Sequence, residues 1–297
     1  MRTIREAFVD LYKEPGLRFP APEPPQRSSG RNSVRSGYHS TAHEPVIVVD
    51  DEGMSDTRTA LVERSSRFHP LDAAMSFPTT IKVQPKHNVL LIPKVVQMIL
   101  NDCGDHWYHL ARSLQERSMT SGLRTVLVTG SLRGEGYTTI AIALAVALAE
   151  YTNRKVLLLD ADFSSPQIAK RLGITHRMGL EQVILESLPI DQALVASRRP
   201  AMNVLPLVDG FEYPGLLVNN TRLATVMENL RKHFDLIVVD GGSVFAGRSP
   251  TPMVAGIDAA MIVRNPEKSS ENLLDQLDEY LKDKGISSLG VIENGID

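Results

Sequence analysis

From about residue 123 onward, short runs of apolar and β-branched residues recur with helix-length stretches between them. The runs are "RTVLVT", "KVLLLD", "NVLPL", "DLIVVD", "AAMIV" and "SLGVIE". They are nearly continuously apolar instead of alternating, which predicts strands buried on both faces and so a parallel sheet covered by helices. After the first run comes "IAIALAVALAE", apolar all round, which predicts a helix in the interior. Ahead of the sheet, "PKVVQMILNDCGDHWYHLARSLQERS", from Pro93 to Ser118, predicts a helical segment that packs on the core through Trp107, Leu110 and Leu114. The expected fold class is α/β, a doubly wound and mostly parallel sheet.

Residues 1 to about 90 have another character. "TIREAFVDLYK" sets Ile4, Phe8 and Leu11 on one helical face, opens with Thr3 and Glu6 at capping-box spacing and is stopped by Pro15 and Gly16. The following "RFPAPEPPQRSSGRNSVRSGYHSTAHEP" is rich in Pro, Ser, Gly and Arg and buries too little apolar surface to offset its ordering entropy. "VIVVDDEG" and "TTIKVQP" are isolated β-like pieces within the same region. The expected organisation is a short amphipathic helix over 1–14, a disordered linker over 15–92 and one globular domain over 93–297, led by the helical segment 93–118.

Composition narrows the function classes. The chain has 297 residues, 42% of them hydrophobic, enough for one large α/β core with an appendage. Its formal net charge of -3 gives no basic excess, so no nucleic-acid partner is expected. A single cysteine, Cys103, excludes an internal disulfide and any multi-cysteine metal site. No apolar run approaches the roughly 20 residues of a spanning helix, and the charged N-terminus lacks the apolar core of a secretion signal. The expectation is a cytoplasmic protein without direct membrane insertion.

The chemistry concentrates at the ends of the predicted strands. "GSLRGEGYTT" lies between the first strand and the buried helix, the setting of the phosphate-binding pattern GxxxxGK[ST]. In that pattern successive backbone N–H groups wrap the phosphates, the lysine reaches the β and γ phosphates, and the hydroxyl holds magnesium. The window from Ser131 to Thr138 has Gly134, Gly136 and the hydroxyl of Thr138, but Ser131 stands at the first glycine, unless Gly130 shifts to serve, and Tyr137 at the lysine. "KVLLLDADFSSP" ends a strand in Asp160 and Asp162, and "FDLIVVDGGS" ends another in Asp240. Carboxylates and a hydroxyl near such a loop form the oxygen shell that magnesium prefers.

From about Pro93 to Asp297 the chain resembles the bacterial tyrosine kinases of capsule and exopolysaccharide systems, which are of the MinD and ParA type of P-loop ATPases. "RGEGYTT" stands against the family's PGEGKST, and "VLLLDADFSSP" against VLLIDADLRxP. "GLEQVI", "LPIDQAL", "MNVLPLVDGFEYPGLL" and "LRKHFDLIVVDGGS" follow in the family's order, and "LGVIENGID" resembles GVVLNxxD. The resemblance implies binding of ATP or ADP with magnesium. Backbone from Gly134 through Glu135, Gly136, Tyr137 and Thr138 to Thr139 would cradle the phosphates, with Asn294 at the adenine. Thr138, Asp160 and Asp240 would form the magnesium site, and Asp160 and Asp162 the catalytic acidic pair. A membrane-embedded polysaccharide chain-length or export protein is the implied partner, with peripheral association at the inner membrane through it, and homo-oligomerisation is a further implication.

The chain departs from this pattern at several places. The loop lysine is Tyr137, and Ser164 replaces the arginine after the acidic pair. "GGS" replaces TPP, and the tyrosine-rich C-terminal tail is missing. The oligomerisation motif ExxRxxR aligns best with His106, His109 and Arg112. Loss of a cation at the β and γ phosphates strikes at phosphoryl transfer more than at binding. Arg133, four residues before Tyr137, is the candidate substitute cation. Three readings stay open: a degenerate nucleotide-binding regulator of exopolysaccharide synthesis or export with weak or no kinase activity, an active ATPase or protein-tyrosine kinase with an altered loop, and a nucleotide-free interaction module.

Overall fold

The computed structural model describes residues 90–175, 177–208, 221–246 and 255–295. The helix expected over 1–14 and the linker up to residue 89 lie outside the described residues. Leu90 is buried, and the Leu91 N–H donates to the Leu172 carbonyl at 3.0 Å, so the chain is already tied to the fold just ahead of the expected helical segment. That segment forms two helices, α1 (Lys94–Asp102) and α2 (Gly104–Thr120), broken at Cys103. Cys103 leaves helical geometry at φ -120° within "NDCGD", a cluster of poor helix formers. Trp107, Leu110 and Leu114 of α2 are buried as the pattern predicts.

The strands alternate with helices along the chain. They are β1 (Thr125–Gly130), α3 (Tyr137–Tyr151), β2 (Val156–Asp160), α4 (Ile168–Arg171), α5 (Leu180–Leu185), α6 (Ile190–Ala193), β3 (Val195–Ala196) and β4 (Asn203–Leu205). They continue with α7 (Thr221–His233), β5 (Leu236–Ser243), β6 (Ala259–Arg264), α8 (Glu271–Asp283) and β7 (Ser287–Glu293). The seven strands form one sheet in the order β3-β4-β2-β5-β1-β6-β7. Among the described residues, only the β3–β4 pair is antiparallel. Every residue of β1 and β2 is buried, as expected for strands covered on both faces.

Strand periodicity divides the core in two. Val126, Val128, Val156, Leu158 and Val238 face the layer built from α1, α2 and α3. Leu127, Leu157, Leu159, Ile237 and Val239 face the layer of α5, α7 and α8. The sheet is therefore wound on both sides. Helix α3 has no polar face to offer solvent: Ile140 through Leu148 are each at most 2% exposed. Each such leucine or isoleucine contributes about 1.5–3 kcal/mol by burial. Among the described residues, no helix is long and apolar enough to cross a membrane.

Parallel strands deliver their carboxyl ends to one edge. Register pairs Gly130 of β1 with Ser243 of β5, and Asp160 of β2 with Asp240 of β5. The loop from 131 to 136 and both carboxylates thus reach the same place, where ligands bind in open α/β sheets.

Candidate functional site: a phosphate-binding loop with a buried tyrosine

The loop between β1 and α3 carries two glycines in the left-handed region. Gly134 and Gly136 have φ of +81° and +98°, values that L side chains rarely adopt. Backbone of this kind, leading into a helix N-terminus, lets successive N–H groups converge on an anion. Among the described residues, none accepts a hydrogen bond from the backbone N–H groups of residues 133 to 139; the first amide of α3 to find an intrahelical partner is Ile140, which donates to Gly136. These donors are what a phosphate would need.

Side chains from distant segments hold this cradle open. Glu135 is fully buried, and its carboxylate accepts the Leu132 N–H at 2.8 Å on Oε2 and the Ser269 hydroxyl on Oε1. Lys268 donates from Nζ to the Gly134 carbonyl at 2.8 Å, and Asn294 donates from Nδ2 to the Glu135 carbonyl at 2.9 Å. Ser269 is itself fixed by the turn after β6, where the Asn265 carbonyl accepts its N–H at 3.0 Å and that of Lys268 at 2.9 Å. Lys268 and Ser269 are missed by sequence reasoning, because a lysine and a serine in "NPEKSS" carry no loop-binding signal of their own. Asn294, expected at an adenine, lies against the loop; its Oδ1 is buried without a hydrogen-bond partner.

The acidic residues come together with the tyrosine. Asp160 and Asp240 are fully buried neighbours on β2 and β5. Asp160 accepts the Asp162 N–H at 3.2 Å on Oδ1 and the Ile168 N–H at 3.1 Å on Oδ2. Neither oxygen of Asp240 has a hydrogen bond of good geometry. Burial, then the Asp240 charge, pushes the Asp160 carboxyl well above the usual range. Burial also pushes Asp240 up to about 7, a rise that the nearby Thr138 hydroxyl opposes and the Asp162 charge reinforces. Two carboxylates in this position do not both ionise readily without a cation beside them.

Asp162 accepts the Ser165 N–H at 3.0 Å; burial raises it, while the Ser165 and Ser164 N–H groups and Arg133 lower it. Its carboxyl occupies the space above Gly242, where a Cβ would lie 2.6 Å from Cγ. Gly242 also has φ +69°, so the glycine in "GGS" is what admits Asp162. Tyr137 begins α3 and is 7% exposed. Its hydroxyl pairs with Ser243 and faces Asp162, Asp240 and Arg133, and burial first, then Asp162, pushes its pKa up to about 12. The phenol is neutral near pH 7.

Two arginines flank the cluster. Arg133 is exposed but acts electrostatically on Asp162 and Tyr137. Arg171, at the end of α4, donates to the Thr139 hydroxyl at 3.2 Å and lowers the Asp240 pKa; the sequence offered no reason to single it out. Among the described residues, no group of three or more histidine, cysteine, aspartate and glutamate side chains is placed to hold a metal. The orphaned oxygens of Asp240 beside the Thr138 hydroxyl still fit magnesium, which takes one or two protein carboxylates and completes its shell with phosphate and water. A separate groove lined by Ile92, Leu100, Val146, Tyr151 and Arg199 sits at the other end of α3, about 20 Å along the helix. It has no part in this site.

No protein-family model matches the chain. It is 30% identical over 175 residues to the septum site-determining protein MinD of Synechocystis, a match covering 58% of this chain and 64% of that protein. It is 25% identical over 183 residues to the tyrosine-protein kinase YwqD of Bacillus subtilis, covering 62% and 77%. The kinase domain of the Escherichia coli tyrosine kinase ETK superposes with a TM-score of 0.59 at 20% identity, covering 71% of this chain and 83% of that one. The chain thus spans less than two thirds of the MinD relative. The proteins it is similar to in sequence are bacterial tyrosine-protein kinases and MinD-type ATPases, and its fold is that of the ETK kinase domain.

Proposed function

We propose that this chain is a nucleotide-binding protein derived from the bacterial tyrosine kinases, which binds ADP or ATP with magnesium and transfers phosphoryl groups weakly or not at all. One observation carries the proposal. The unpaired amides of residues 133 to 139 keep a phosphate cradle, while the lysine position holds a buried, neutral Tyr137.

Binding and catalysis make different demands on these residues. The backbone N–H groups orient phosphate through geometry that Glu135, Ser269, Lys268 and Asn294 hold in place. Magnesium, when bound with a nucleotide, supplies neutralisation of phosphate charge, and Asp240 and Thr138 are the residues that would hold it. Asp160 is suited to hold a proton, being fully buried with its pKa raised. Phosphoryl transfer additionally needs a fixed positive charge at the leaving phosphate. Removing one oxyanion-hole donor, a charge-stabilising group in acyl transfer, costs about 10²–10³ in rate, which sets the scale.

Arg133 and Arg171 flank the acidic cluster and Lys268 sits on the Gly134 carbonyl, and these cations sustain a second reading, an active ATPase or tyrosine kinase with a substitute cation. Against it, Arg133 is exposed. The role that follows from the first reading is regulatory, in exopolysaccharide or capsule synthesis or export, through a membrane-embedded chain-length or export protein and with self-association as an option of the fold. The test is calorimetric titration with ADP and ATP, with and without magnesium, beside assays of ATP hydrolysis and autophosphorylation. Magnesium-dependent binding without turnover supports the proposal. Turnover abolished by Arg133→Ala or Arg171→Ala supports the second reading, and absence of binding leaves an interaction module.

A further inference from the structure

Tyr137 grows from the residue where a loop of this kind carries its lysine, and that lysine reaches the β and γ phosphates. The phenol takes the same route. Its ring lies against the end of β1, where a Cβ on Gly130 would be 3.1 Å from Cδ1. Its hydroxyl ends beside Ser243, Asp162 and Asp240, at the carboxyl ends of the strands. Those strand ends, beyond the loop's ring of amides, are where the outermost phosphate of a nucleotide in this cradle would lie.

The electrostatics agree with the sterics. A γ phosphate would lie beside Asp162 and Asp240, and the neutral Tyr137 supplies no positive charge there to hold it. Asp240, fully buried, lies beside both the Tyr137 and the Thr138 hydroxyls. The cradle amides of residues 133 to 139 remain unpaired.

We infer that the loop selects a nucleoside diphosphate against a nucleoside triphosphate, with the Tyr137 side chain standing in the volume of the third phosphate. This rests on the nucleotide-binding reading above. It makes the chain a reader of the diphosphate state, able to respond to the product of phosphoryl transfer without performing the transfer.

The test is calorimetric titration of the full chain with ADP and with ATP, each with magnesium, for wild type, Tyr137→Ala and Tyr137→Phe. Wild type is expected to bind ADP at least about tenfold more tightly than ATP. Tyr137→Phe keeps the ring and should keep most of that preference, and it serves as the control if Tyr137→Ala fails to fold. Tyr137→Ala opens the volume and should bring the two affinities together. Equal affinities in wild type, or tighter binding of ATP, would overturn the inference while leaving the nucleotide-binding reading intact. Binding of neither nucleotide by wild type and both variants would overturn that reading too. Binding of both by Tyr137→Ala alone would show that the tyrosine closes the whole cradle, which also overturns the inference.

Discussion

Gly136→Ala probes the coupling between the loop and the end of β7. Gly136 sits at φ +98° and ψ 7°, and a Cβ there would fall 2.1 Å from Asn294 Nδ2 and 3.2 Å from its Cγ. The left-handed backbone alone costs an L residue about 1–2 kcal/mol. Displacing Asn294 also breaks its hydrogen bond to the Glu135 carbonyl, worth about 1 kcal/mol. The expected destabilisation is thus about 2–3 kcal/mol. Asn294→Ala alone should cost about 1 kcal/mol, for the hydrogen bond only. In the double variant the clash is gone and the bond is counted once, so the pair should be about 1 kcal/mol less destabilised than the sum of the singles. Urea denaturation at constant slope reads all three values. Strict additivity would refute the reasoning, because it would mean that Asn294 does not rest on Gly136.

The remaining predictions concern other parts of the same architecture. Ser269→Ala removes a donor from the buried Glu135 carboxylate and should cost about 1–3 kcal/mol of stability, read by the same denaturation series. Leu144→Ala, in the wholly buried face of α3, should cost about 2–5 kcal/mol by transfer and cavity terms; a smaller loss would mean that the helix is not central to the core. Asp240 has a folded pKa raised to about 7, so the folded state binds its proton more tightly than the unfolded chain does. That contribution is fully present below the ordinary carboxylate range and is lost as pH rises through about 7. Asp240→Asn should therefore flatten the fall in melting temperature between pH 5 and 8, and should weaken nucleotide binding only when magnesium is present.

Much of this arrangement was legible in the sequence, and the parts that were not share a physical cause. The runs "RTVLVT", "KVLLLD" and "AAMIV" announced their strands because burial on both faces demands continuous apolar character. The same rule gave no warning of β3, where Val195 and Ala196 are too few to form a pattern. It also ended β5 too early: Gly241 and Gly242 have turn-like composition, yet the strand runs on to Ser243 so that Gly242 can make room for Asp162. The loop, the acidic pair and Asp240 were found from local motifs. Ser269 and Lys268 were not, since their contacts to Glu135 and Gly134 each span 134 positions and depend on the β6–α8 turn. Tyr137 was visible as a substitution, but its burial among Asp162, Asp240 and Ser243 follows only from where three strands end.

The central claim is that a phosphate cradle survives here without the charge that phosphoryl transfer needs. It is tested most directly by measuring, on one preparation, equilibrium nucleotide affinity and single-turnover transfer of the γ phosphate from labelled ATP to water or protein, for wild type and Tyr137→Lys. Wild type should bind nucleotide with magnesium and release or transfer little or no label above the uncatalysed background. Tyr137→Lys, restoring a cation at the outer phosphates, should raise affinity for ATP more than for ADP. Rapid transfer by wild type, or an ATP-to-ADP preference unmoved by the lysine, would contradict the account.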